Sequence, residues 1–154
     1  MILLFLLACG YLGYKGYQEY ETALSAMSME EMEQKIQSIG NYTKLENLPE
    51  TYVKAVLAVE DKRFYRHFGI DLIATCRALV NDIKAMAPVE GGSTITQQLA
   101  KNQYFSQEKK VTRKIAELFM AFKMEQSFTK DQILEMYVNS IFFGNNYYCV
   151  GDAS

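Results

Sequence analysis

Val59-Glu60-Asp61-Lys62-Arg63-Phe64-Tyr65-Arg66-His67-Phe68-Gly69-Ile70-Asp71 sets a carboxylate, Glu60, among apolar residues at helical spacing. Val53, Val56, Leu57, Glu60 and Phe64 share one face of a helix expected over Thr51 to Arg66. A leucine would normally occupy position 60. Two readings fit a carboxylate there. Desolvation would raise its pKa into the range of a general base; alternatively it is a buried glutamate paired with an arginine. Asp61 points about 100° away around the helix, and with His67 it is expected to tie the helix end to the following loop. A lone histidine builds no metal site, so no metal ligands are assigned.

The second informative stretch is Gly91-Gly92-Ser93-Thr94-Ile95-Thr96-Gln97-Gln98-Leu99-Ala100-Lys101-Asn102. A glycine pair lets backbone approach a ligand closely, and a helix start offers N–H groups to an anion. Thr94, Gln97, Gln98 and Lys101 fall at i, i+3, i+4 and i+7 on one polar face, with Ile95 and Leu99 turned away. Behind them, Lys101, Lys109, Lys110, Arg113 and Lys114 face only Glu108 and Glu117. A base in one stretch and an anion seat in the other point to an enzyme that moves a group off a phosphate. An ordinary capped, solvated helix is the plainer alternative for the second stretch. Glu117 with Arg113 reads either as a cleft lining or as an i,i+4 surface pair.

The remaining segments read as helix or loop, which gives an all-α domain. Ser28 with Glu31 and Thr129 with Gln132 form capping boxes. The first opens a short helix with Met29, Met32, Ile36 and Ile39 on its packing side. The second opens a helix through Ile133, Leu134, Tyr137, Val138 and Ile141. Asp71 caps a helix with the stripe Leu72, Ile73, Cys76, Leu79, Val80 and Ile83. Residues 87–92 should be a mobile loop. The helix from Thr112 to about Gln126 should turn Ile115, Leu118, Phe119 and Phe122 to the core.

The chain has 154 residues, 49% of them hydrophobic and 22% charged, and a net charge of −2. Such a length suits one domain, and such a charge excludes a nucleic-acid polycation. Cys9, Cys76 and Cys149 lack metal-ligand spacing; Cys76 is expected to be buried. Residues 1–20 read as a membrane anchor cut short at its start, since residues 1–13 are almost wholly apolar and a span needs about 20. Lys15 would snorkel, and Tyr11, Tyr14, Tyr17 and Tyr20 would sit at the interface. A signal peptide and a lipoprotein-processing site at Leu6-Leu7-Ala8-Cys9 are the alternatives. Residues 21–47 are a juxtamembrane linker with a short helix, and 48–154 form the main domain.

These residues together resemble the peptidoglycan glycosyltransferase family. The pattern Glu-Asp-x-x-Phe-x-x-His-x-Gly-x-Asp is met by Glu60, Asp61, Phe64, His67, Gly69 and Asp71. The second motif is met from Gly91 and Gly92 to Asn102, and the third by Arg113-Lys114-Ile115-Ala116-Glu117. The fourth resembles Lys130 with Ile133 through Asn139. The fifth, from Phe143 to Ser154, varies the family pattern and stops early, so the domain reads as incomplete at its C-terminus.

The resemblance implies a lysozyme-like α-helical fold with a membrane-facing lobe, on the outer side of a bacterial cell membrane. It implies polymerisation of lipid II into β-1,4 glycan strands, with inversion and release of undecaprenyl diphosphate. By matching position, Glu60 would be the base and Glu117 the second acidic residue, holding the diphosphate or a cation. Lys101 and Lys109 would contact diphosphates, and Ser93, Thr94, Gln97, Gln98 and Arg113 would line the cleft. The partners implied are lipid II, the growing glycan and the membrane, with cell-wall synthesis proteins left open. No cofactor is required; a divalent cation, Mg2+ or Mn2+, at the diphosphate is left open. A non-catalytic lipid II-binding module and a lysozyme-like glycan-cleaving enzyme are the rival functions. A diphosphate leaves without protonation, so the basic run favours transfer over hydrolysis, which needs a second carboxylic acid.

Overall fold

In the computed structural model, which describes residues 1–87, 91–106, 108, 110–141 and 150, seven α-helices and two short 3-10 turns are found, with no strand among the described residues. They are α1 (Ile2–Ala26), α2 (Met29–Gln37), α3 (Glu50–Glu60), α4 (Leu72–Ala85), α5 (Ile95–Tyr104), α6 (Val111–Ser127) and α7 (Lys130–Val138). The all-α architecture is as expected. Residues 88–90 of the anticipated mobile loop, Lys109, Cys149, and the fifth motif apart from Val150 lie outside the described residues.

Both anticipated capping boxes form. The Ser28 hydroxyl accepts from the Glu31 amide while the Glu31 carboxylate accepts from Ser28, and Thr129 and Gln132 repeat the arrangement. Each satisfies two helix-end donors that would otherwise be orphaned. The core joins Met29, Met32 and Ile36 of α2 to Ile95 and Leu99 of α5, Met120 and Met124 of α6, and Ile133, Leu134 and Tyr137 of α7. Burying each such side chain contributes about 1.5–3 kcal/mol. The connector before α3 is fastened to α7: Glu135 accepts from Tyr42 and from the Leu45 amide, and Asn139 bonds the Thr43 backbone in both directions.

Four expectations are corrected. The helix expected to reach Arg66 stops at Glu60, because Asp61 adopts a non-helical φ of −157° and its carboxylate turns inward. Phe64 then lies in a separate 3-10 turn, Phe64–Arg66, as a core residue. On α6 the core face is Ala116, Met120, Ala121 and Met124, while Phe119 and Phe122 are exposed and Ile115 and Leu118 half-buried. This helix is apolar on two sides because α1 covers one of them: Phe119 meets Tyr17 edge-on with centroids 5.4 Å apart. The α4 stripe is also not core. Leu72, Ile73, Leu79, Val80 and Ile83 are exposed, and so is Cys76, which was expected to be buried. None of the described residues packs over that face of α4.

The first helix runs to Ala26, beyond the anticipated anchor boundary at residue 20. Its second half, carrying Lys15, Glu19 and Glu21, lies against α6, where Gly16 meets Ile115 and Glu19 accepts from the Thr112 hydroxyl. No helix among the described residues is long and apolar enough to cross a membrane.

Candidate active site

A cleft of about 890 Å³ opens between the end of α3, the first turns of α4, the 91–94 segment with α5, and the start of α6. Glu60, Asp61, Asp71, Gly91, Gly92, Ser93, Thr94, Gln97, Gln98, Lys101 and Glu117 all contribute to its wall. The structure thus gathers most of the anticipated residues at one place. Phe64, His67 and Gly69 lie behind the wall, and Asn102 is exposed elsewhere on α5. Arg113 lines a neighbouring groove between α1 and the start of α6.

Glu60 is exposed, which corrects both readings of a buried carboxylate. The helix ends at this residue, so its side chain leaves the apolar stripe and stands on the cleft wall. Its partner is an amide, not an arginine: Gln98 Nε2 donates to Glu60 Oε2 at 2.9 Å. The buried carboxylate of the pair is Asp61. It accepts from His67 Nε2 at 2.9 Å and from the Ile95 amide at 3.1 Å. Asp61 and His67 therefore do secure the helix end, as anticipated, and they also fasten it to α5.

That contact corrects the proposed anion seat. The Ile95 amide is taken by Asp61, and the Gln97 amide by the Thr94 hydroxyl. Gln97 in turn accepts from the Thr94 amide, and Thr94 donates to the Gly69 carbonyl at 2.7 Å. Three N–H groups at the start of α5, those of Thr94, Ile95 and Gln97, are thus taken within the protein, and Thr94 and Gln97 are buried. Gly69 holds φ at +81°, a conformation that favours glycine. Gly92 serves packing: a Cβ there would lie 3.1 Å from the Ala78 Cβ on α4. Gly91 has open space around it.

Positive charge in the cleft comes instead from side chains. Lys62, Arg63, Arg66, Arg77, Lys101 and Lys114 line it. Arg63 is committed to Asp71, donating from Nε at 2.8 Å, and this guanidinium holds the Asp71 carboxyl below the usual carboxylate range. The same carboxylate caps α4 through the Ala74 amide, as anticipated. Lys62, Arg66 and Lys101 enter no ion pair among the described residues.

Glu117 is fully buried, which decides against a surface pair. It is held by Arg113 on one oxygen and by Lys114 on the other, at 2.9 Å. Lys114 also donates to the Ser93 hydroxyl at 2.8 Å, so α6 is tied to the segment before α5. Lys114 was not singled out as a site residue, although the spacing Arg-Lys-x-x-Glu already sets it one turn from Glu117. Arg66 and Arg77 carried no such signal; only the folding of α4 against the 3-10 turn brings them to the cleft.

A divalent cation would compete with partners that these carboxylates already have. Both Glu117 oxygens face cationic side chains. Asp61, His67 and Asp71 have ligand atoms within 4.8 Å of one another; their carboxylates and His67 Nε2 already bond one another, Arg63 and backbone N–H groups, while the buried His67 Nδ1 has no partner among the described residues.

Residues 26–154 match the family model described as Transglycosylase. Penicillin-binding protein 1A of Neisseria gonorrhoeae is 48% identical over 113 residues, covering 73% of this chain and 14% of that protein. Its counterpart in Neisseria cinerea is 49% identical over 113 residues, with the same coverage of each chain, 73% and 14%. A monofunctional glycosyltransferase of Staphylococcus epidermidis is 44% identical over 119 residues, or 77% of this chain and 44% of that protein. The chain thus spans less than half the length of these relatives.

Proposed function

The chain belongs to the transglycosylase family, and from that premise we propose that it carries the glycosyl-transfer site of a peptidoglycan glycosyltransferase that polymerises lipid II. The observation that carries this reading is an exposed carboxylate, Glu60, on the wall of a cleft where Lys62, Arg66 and Lys101 enter no ion pair among the described residues. The acceptor's 4-hydroxyl attacks the sugar carbon that bears the diphosphate on the growing chain. A carbon–oxygen bond forms, the bond from that carbon to the diphosphate oxygen breaks, and the anomeric centre inverts. The hydroxyl proton passes to Glu60, and undecaprenyl diphosphate leaves with the bonding electrons. Lys101, with Lys114 and Ser93 of the same cleft, would receive the diphosphate, whose departure needs positive charge more than a proton. Glu117 would act by fixing Arg113 and Lys114.

The carboxylates of the cleft bear on the rival glycan-cleaving reading. Hydrolysis needs a second carboxylic acid across the bond. Asp61, Asp71 and Glu117 are all buried and bonded to cationic or N–H groups, so none is placed to donate a proton there.

The exposed faces suit a lipid-linked substrate. Phe68, the α4 residues Leu72, Ile73, Leu79, Val80 and Ile83, and Phe122 add to the apolar first half of α1. Phe68 and Phe122 meet edge-on, 5.1 Å apart. Exposed apolar residues grouped in this way mark an interaction site, and the membrane leaflet that holds the undecaprenyl chain would cover them.

Incubating purified lipid II with the complete gene product tests the proposal. Glycan strands and undecaprenyl diphosphate are the expected products. Fragments released from finished cell wall, with lipid II untouched, would support the hydrolase instead. Polymerisation by the isolated 154-residue chain would exclude a binding-only module.

A further inference from the structure

We propose that Tyr137 is a positioning residue for the Glu60 carboxylate, acting through Gln98; this rests on the reading of Glu60 as the base. Tyr137 lies on α7, is 2% exposed, and donates from its hydroxyl to Gln98 Oε1 at 3.1 Å. Gln98, on α5, donates from Nε2 to Glu60 Oε2 at 2.9 Å. The relay thus runs from the core through one helix to the cleft wall.

The chemistry of the three groups fixes its direction. An ionised carboxylate only accepts, so the amide nitrogen of Gln98 must face Glu60. The amide oxygen then faces α7, where the phenol supplies a donor. Burial raises the Tyr137 pKa, and the Glu60 charge, neighbouring Tyr52 and a weaker direct approach of the phenol to Glu60 raise it further, so the phenol keeps the proton it donates. A flipped Gln98 would set its oxygen against the carboxylate, and the Tyr137 donor selects against that flip.

The relay solves a problem that an exposed base has. A carboxylate at a helix end explores several rotamers, and misplacement of a reacting group by about 1 Å costs on the order of a hundredfold in rate. Gln98 holds one oxygen of Glu60 and leaves the other to take the acceptor's proton. The rigid end of the chain is the tyrosine ring, packed in the core with Ile133 and Leu134. If Tyr137 were merely core filler with a satisfied hydroxyl, removing that hydroxyl would change stability and leave turnover alone.

The test compares wild type, Tyr137→Phe, Gln98→Met and the double variant in the complete gene product, with lipid II as substrate and melting temperature measured for each. Tyr137→Phe keeps the ring and should lower kcat by roughly tenfold with KM within about twofold, and the same change in the Gln98→Met background should add no further loss. An unchanged kcat for Tyr137→Phe, or an equal proportional loss in both backgrounds, overturns the proposal. Should Tyr137→Phe fail to fold, Gln98→Met alone decides: with Tyr137 intact it must lower kcat without raising KM, and full turnover overturns the relay. Glu60→Gln separates the two levels. If that variant polymerises normally, the base assignment fails; if it is inactive while Tyr137→Phe turns over at the wild-type rate, only the relay fails.

Discussion

Asp61 accepts the backbone N–H of Ile95 at 3.1 Å, so the carboxylate that ends α3 also starts α5. The same carboxylate holds His67, and both side chains are almost wholly buried. The base candidate and the amide that holds it, Glu60 and Gln98, stand on the two helices this contact joins. Asp61→Ala would leave two buried donors unpaired, each costing about 1–3 kcal/mol. Denaturant unfolding should show a loss of that order, and a change well under 1 kcal/mol would mean that the contact does not organise the site.

Asp71 gives the fold a specific sensitivity to acid. Arg63 holds its carboxyl below the usual carboxylate range, with the Ala74 amide adding to the effect. A group whose pKa is lowered by folding contributes stability above its unfolded value, near 4, and loses it as pH falls through the lower folded value. Stability measured from pH 6 downward should therefore fall less steeply in Asp71→Asn than in wild type. Parallel curves would contradict the assignment.

Gly16 sets the distance between α1 and α6. A Cβ at this position would lie 2.5 Å from Ile115 Cγ2 and 2.9 Å from the Thr112 carbonyl oxygen. A change of Ile115 rotamer cannot clear the backbone carbonyl, so one helix must shift. Gly16→Ala gains about 1 kcal/mol of helix propensity, whereas overpacking costs about 1–3 kcal/mol; Gly16→Val should make the sign unambiguous. Thermal melting should drop for the valine variant, and an unchanged midpoint would show that α1 does not pack here.

The exposed face of α4 should meet lipid. Cys76 lies exposed on that helix. With Cys9 replaced by serine, and Cys149 likewise, an environment-sensitive fluorophore on Cys76 should shift to the blue when vesicles containing anionic phospholipid are added. No shift under conditions where the protein sediments with the vesicles would place the membrane against another face.

These outcomes bear on what periodicity can reveal. Capping at Ser28, Asp71 and Thr129 was legible because a cap is a local bond between residues three apart. The packing side of α2 was legible because its apolar residues occupy one side alone. On α6 both sides are apolar, since α1 touches the still exposed Phe119 while the core takes Met120 and Met124, and spacing cannot rank two apolar faces. The α4 stripe shows the same limit: a period tells which residues share a face, not what lies over it. Glu60 and Asp61 were the hardest pair. A helix continued to Arg66 would have buried Glu60, and only the inward turn of Asp61, fixed by a backbone amide on α5, exchanges the two. Most of the anticipated residues still meet in one cleft because the motifs name residues without needing their burial. Lys114 was within reach of the same reasoning, and Arg66 and Arg77 were not, since only tertiary contact brings them in.

The base assignment at Glu60 is tested most directly by one substitution. Glu60→Gln in the complete gene product keeps the size of the side chain and a hydrogen-bonding group for Gln98, and removes the proton acceptor. Lipid II should still bind with affinity near wild type, and glycan synthesis should fall by roughly a hundredfold or more, as loss of a general base requires. Glycan synthesis at the wild-type rate by the folded Glu60→Gln protein would contradict the account.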